Sequence, residues 1–133
     1  MADDESLITD AANKTSLVPF LDRNAHTLSG GELARVHIAR LLAGSQDILL
    51  ADEPLANLDP KFQLQILRVL REYGRDARGG VIVLHDLNFA ARHCDRLLLL
   101  NKGHVHIQDV PTRVLTPAHV EAVFGVSRQY LRD

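Results

Sequence analysis

The sequence predicts an α/β fold with parallel core strands, a C-terminal antiparallel hairpin and flanking helices, on three observations. Two short continuous apolar runs, Ile48-Leu49-Leu50-Ala51 and Val81-Ile82-Val83-Leu84, each end at ionisable residues, as strands of a parallel sheet do. The stretch between them has the punctuation of a helix, and strand, helix, strand reads as a right-handed parallel crossover. Arg96–Leu100 and His104–Gln108 flank Asn101-Lys102-Gly103, the pattern of two antiparallel strands joined by a short turn.

Each element has a local reason. From Asp4 to about Leu21 the pattern is weakly helical, with Leu7, Ile8, Ala11 and Ala12 at helical spacing and a break near Pro19. Ser29 opens a helix to about Ala43, in which Leu33, Val36, Ala39 and Leu42 recur on one side and Gly44 supplies a C-terminal cap. Ile48–Ala51 reads as a strand buried on both faces. Asp59-Pro60 gives an N-cap followed by proline at the first helical position, and that helix runs to about Tyr73 before Gly74. The second strand ends at His85. Beyond the hairpin, Thr116-Pro117 opens a short helix ending near Phe124-Gly125.

Composition limits the function classes. The chain has 133 residues, the size of one domain, with 46% hydrophobic and 24% charged residues and a net charge of −2. There is no basic excess to attract a nucleic-acid backbone, so nucleic acid is not expected as a partner. Cys94 is the single cysteine, which rules out an internal disulfide framework and fits a reducing, cytoplasmic setting. The start Met1-Ala2-Asp3-Asp4-Glu5 is acidic, and no apolar run approaches the ~20 residues of a bilayer span. Direct membrane insertion is not expected, and any membrane link runs through a partner.

Three segments carry chemistry. Ser29-Gly30-Gly31-Glu32 has the spacing of a capping box, in which Ser and Glu satisfy free amides at a helix start. Capping does not ask for two glycines, each of which lowers helix propensity by roughly 1 kcal/mol relative to alanine. Their use is to let something approach the backbone, and a helix start with open amides favours phosphate. Asp52-Glu53 stands at the C-terminal end of the first strand, where α/β proteins place ligands, although a strand simply ending in exposed acids has the same look. His85 ends the second strand, which would place Glu53 and His85 at one edge of the sheet. His104 and His106 alternate on one face of a strand and offer metal ligands, but no third ligand can be assigned, so a surface strand is the expectation. Cys94 beside His93 reads as packing, and His26 and His37 have no assignable role.

Leu28-Ser29-Gly30-Gly31-Glu32, Asp52-Glu53, Asn57-Leu58-Asp59 and His85-Asp86-Leu87, in this order, resemble the C-terminal part of an ABC transporter ATP-binding subunit, a P-loop NTPase fold. The resemblance implies residues 1–45 as the end of the helical subdomain with the signature helix, and 46–133 as the Walker B, D-loop, H-loop and C-terminal part. It implies ATP and Mg2+ as cofactors, Asp52 as the magnesium residue, Glu53 as the general base and His85 as the switch histidine on the γ-phosphate. Ser29, Gly30, Gly31 and Glu32 become the signature motif, with Glu32 where the usual form has Gln, a familiar variant in importer branches. Asp59 belongs to the D-loop that crosses between two such domains. The implied partners are a second ABC ATPase domain and a membrane permease, with the chain peripheral at the inner face of the membrane. The ending Leu115-Thr116-Pro117 to Phe124-Gly125-Val126 looks most like importers of iron-siderophore, heme and cobalamin type.

One motif of that family is not in this sequence. No glycine is followed by lysine, so the phosphate-binding pattern G-x-x-x-x-G-K-[ST] is not present. The expectation is an importer ATPase subunit lacking this P-loop and inactive alone. The alternative is a non-catalytic interaction module that offers the signature in trans to a complete ATPase. A DNA-repair ATPase of the same family is disfavoured, because no sustained heptad pattern precedes the signature. Poor stability of the isolated chain is expected from unpaired sheet edges.

Overall fold

The computed structural model describes residues 3–75 and 78–126. Contacts divide the chain into two units, Met1–Leu84 and His85–Asp133.

In the first unit, α1 (Asp4–Lys14) buries Ala11 and Ala12 against α2 (Gly30–Ala43). The helix stops before Pro19, earlier than its periodicity predicts. The Thr15 hydroxyl turns back to donate to the Ala11 carbonyl at 2.8 Å, and Ser16 takes the left-handed conformation at φ 57, so the chain leaves the helical path there. Short 3-10 turns at Val18–Phe20 and Ala25–Thr27 follow. In α2, Ile38 and, unexpectedly, Arg35 are buried.

Strands β1 (Ile48–Asp52) and β2 (Gly79–Val83) pair in parallel, with Leu50 opposite Val81 and Asp52 opposite Val83. Between them α3 (Pro60–Tyr73) buries Ile66, Leu67 and Leu70 and packs along β2. β2 begins two residues earlier than the apolar run predicts. Glycine is a poor strand former, yet the Gly79 amide donates to the Asp47 carbonyl at 2.8 Å and starts the ladder. β1 is not buried on both faces. Leu49 is 2% exposed, whereas Ile48 is 67% and Leu50 69% exposed, as is Val81 at 62%. Among the described residues this sheet has only these two strands, so a continuous apolar run is covered on one side alone.

In the second unit, α4 (Leu87–His93) is capped by Asp86, whose carboxylate accepts from the Asn88 and Phe89 amides. β3 (Leu97–Asn101) and β4 (His104–Asp109) form the expected hairpin, with Lys102 and Gly103 both at positive φ, the backbone of a two-residue type I′ turn. α5 (Pro111–Val114) and α6 (Pro117–Phe124) follow, and Leu99, Val114 and Val120 form the buried centre of the unit. α6 ends at Gly125, in the left-handed conformation at φ 66, which is the usual glycine stop.

The hairpin contains one irregularity. Leu99 pairs with Ile107 but Leu100 pairs with Val105, which leaves His106 as an extra residue without a partner on β3. Such a bulge breaks the two-residue alternation. The simple alternation that would place His104 and His106 on one face is interrupted at His106.

Candidate nucleotide-binding site

The start of α2 is built by a reciprocal pair of hydrogen bonds. The Glu32 amide donates to the Ser29 hydroxyl at 3.2 Å, and the Ser29 amide donates to a Glu32 carboxylate oxygen at 2.8 Å. This is the capping box that the sequence predicts. The Ser29 amide holds the Glu32 carboxyl below its ordinary value against the opposing effect of desolvation, aided by the Ser29 hydroxyl, Arg23 and Arg35. The box uses the Ser29 and Glu32 amides. The amides of Gly30 and Gly31 have no partner among the described residues, as expected for the first turn of a helix.

The two glycines differ. A β-carbon at Gly30 would meet nothing within 4 Å, whereas one at Gly31 would stand 3.2 Å from the Asn57 carbonyl oxygen. Open backbone thus has two causes: Gly30 faces free space, and Gly31 makes room for the chain's own next loop.

That loop runs from the end of β1 to α3. Glu53 is left-handed at φ 48 and Asn57 at φ 63, an unfavourable conformation for residues with side chains. The Glu53 amide donates to the Val83 carbonyl at 3.1 Å, which extends the ladder one step past Asp52. Leu55 and Leu58 are each 7% exposed and anchor the loop, while Asp52 and Glu53 are exposed at the C-terminal end of β1. Asp59 occupies the N-cap position of α3 but makes no side-chain cap hydrogen bond. The sequence-based capping role is thereby corrected: Pro60 at the first helical position fixes the turn by its ring, and the Asp59 carboxylate is not consumed by the cap. His85, also exposed, begins the second unit two residues beyond β2.

Arg35, which follows the signature segment in the sequence, has a structural role that its position did not signal. It is 5% exposed, donates to the Thr15 and Ser16 carbonyls at 3.0 and 2.8 Å, and stacks 4.0 Å from the centre of the Phe62 ring. Gln65 of α3 donates to the Lys14 carbonyl and the Ser16 hydroxyl, both at 2.9 Å. The end of α1 is thus the point to which α2 and α3 are both tied. Among the described residues the Arg35 Nε has no hydrogen-bond partner. Only an arginine placed six residues after a capping serine could have signalled this, and that spacing also fits an exposed side chain.

The family described as ABC transporter matches residues 2–56. The chain is 41% identical over 138 aligned residues to the hemin import ATP-binding protein HmuV of Bordetella avium (strain 197N), covering 98% of this chain and 53% of that protein. Among solved structures, an inward-facing transporter described as of metal-chelate type superposes with a TM-score of 0.80 at 26% identity, over 92% of this chain and 49% of that one. The ATP-binding cassette MJ0796, dimeric and bound to ADP and phosphate, gives 0.73 at 31% identity over 84% of this chain and 49% of that one. The chain spans about half the length of each of these proteins. Its α/β arrangement is that found in ABC ATPase domains, and in fold, motif order and sequence the chain is similar to part of the ATP-binding subunits of ABC transporters.

Proposed function

We propose that this chain carries the signature half of a nucleotide site in the ATP-binding subunit of an importer for hemin or a related iron chelate. The observation that carries the reading is the start of α2. Its capping box leaves the Gly30 and Gly31 amides unclaimed, with open space at Gly30, and unpaired amides at a helix start suit a phosphate oxygen. Likeness to the hemin import protein of Bordetella avium supports the solute class.

The residues present fit ATP and Mg2+. The Asp52 and Glu53 carboxylates are exposed at the C-terminal end of β1, and carboxylate oxygens are the ligands that hydrated Mg2+ accepts. When bound, Mg-ATP supplies the phosphoanhydride that is cleaved. Asp52 would hold Mg2+ through water. Glu53 orients a water molecule and accepts its proton on the carboxylate. His85 would donate from one imidazole nitrogen to the γ-phosphate while the other accepts. The Asp59 carboxylate, free of the cap, is available to cross to a second ATPase domain. A nucleotide on the P-loop of a second ATPase domain would face the Ser29–Glu32 amides, whereas Asp52, Glu53 and His85 would act beside a P-loop of their own subunit, a pattern not found among these 133 residues.

Among the described residues no helix is long and apolar enough to cross a membrane. In this reading attachment to the membrane runs through a permease, on its cytoplasmic side. The test is calorimetry with Mg-ATP on the chain alone and mixed with a complete homologous ATPase domain. Tighter nucleotide binding or dimerisation in the mixture, abolished by Gly30→Asp, is expected. No change on mixing would remove the half-site reading. Binding without added hydrolysis would leave the non-catalytic module.

A further inference from the structure

The second unit contains a histidine pair that the nucleotide chemistry does not use. His106 Nε2 lies 2.9 Å from His119 Nδ1, with ring centres 5.0 Å apart and planes at 79°. Both nitrogens are held by backbone features. His106 is the bulged residue of β4, and a bulge re-aims the side chain it carries. His119 is the third residue of α6, where its amide donates to the Thr116 hydroxyl in the helix cap. Neither placement follows from packing an apolar core, since His106 is exposed and His119 only half-buried.

We propose that His106 and His119 form a two-point site for a divalent transition-metal ion, with Ni2+ and Cu2+ preferred. Imidazole nitrogens bind such ions at about 2.0–2.1 Å. At that bond length a 2.9 Å separation gives an N–metal–N angle of about 90°, the cis angle of tetragonal and octahedral ions, once the two rings turn from facing each other along the hydrogen bond so that their lone pairs converge on one point. A tetrahedral ion would need the nitrogens about 3.3 Å apart at the same bond length. Without metal, one ring donates the N–H that the other accepts. Metal entry requires that proton to move to the other nitrogen of the same ring, a tautomer change that leaves the ring neutral and its lone pair free. No group of three or more His, Cys, Asp or Glu residues among those described converges on a metal position, so water fills the remaining positions. His104 is not one of the two rings brought together in this pair.

The test is calorimetry of the untagged 133-residue chain with NiCl2, CuCl2 and ZnCl2. One ion per chain is expected at low micromolar concentration, with Ni2+ bound at least as tightly as Zn2+. His106→Gln and His119→Gln should each weaken binding at least about tenfold, and His104→Gln should leave it unchanged. Electron paramagnetic resonance of the Cu2+ form of the wild-type chain should show two coordinated imidazole nitrogens, a readout that does not depend on any variant folding. Failure to bind one ion per chain, tighter binding of Zn2+ than Ni2+, binding that survives both substitutions, loss on His104→Gln, or fewer than two imidazole nitrogens on Cu2+ would each overturn the proposal.

Discussion

Gly30 and Gly31 stand side by side yet have opposite surroundings, and substitution should separate them. Alanine at an unstrained helical position gains up to about 1 kcal/mol over glycine. Gly30→Ala meets nothing within 4 Å, so its urea midpoint should rise, while the added methyl should weaken any phosphate contact there. Gly31→Ala must push back the Asn57 carbonyl from 3.2 Å, so its midpoint should not rise. Equal midpoints would show that the loop yields freely. At Arg35, alanine removes a stacked guanidinium and strands the Thr15 and Ser16 carbonyls. Loss of about 2–4 kcal/mol is expected in denaturant unfolding, and Arg35→Met, which keeps the aliphatic volume without burying a charge, should lose less. Two glycines and a capping pair were legible in the sequence; the neighbour that makes one of those glycines necessary was not, because Asn57 reaches it through folding and not through spacing.

At the scale of elements, α2 depends on its capping box. Ser29→Ala should cost about 1 kcal/mol by leaving the Glu32 amide unpaired. The reciprocal bond gives a pH dependence. The Glu32 carboxyl is held low in the folded chain, chiefly by the Ser29 amide, so its stabilisation is fully present above the unfolded carboxyl value and is lost as pH falls through the lower, folded value. Thermal melts of wild type and Glu32→Gln should diverge above pH 5 and converge in acid; parallel curves would exclude the bond. Asp109 behaves in the same sense, held low first by the Val110 amide and then by Arg113. Long elements were readable because apolar spacing and proline or glycine punctuation agree in α2, α3 and the hairpin. α4 was missed because Asp86 was weighed as part of a histidine motif, when its carboxylate also caps a helix of 7 residues. The His106 bulge was not legible either, since the His-Val-His alternation is the same with or without an extra residue.

At the scale of the molecule, the first unit exposes an apolar sheet face. Leu50 and Val81, cross-strand partners, are 69% and 62% exposed, with Ile48 and Val83 beside them. Contiguous apolar surface of this kind drives association. Sedimentation velocity should show concentration-dependent self-association, and Leu50→Lys with Val81→Thr should shift the chain toward monomer; a monomeric wild type at high concentration would show that the face stays wet. The sequence-based reading placed β1 inside a wider sheet because apolar runs carry no information on whether a second layer is at hand. The contact of Gly31 with Asn57 joins positions 26 residues apart, from 31 to 57. It makes the loop after β1 an internal reporter: carbonyl-13C labelling at Asn57 should register occupancy of the α2 amides as a chemical-shift change, with no ligand atom touching Asn57.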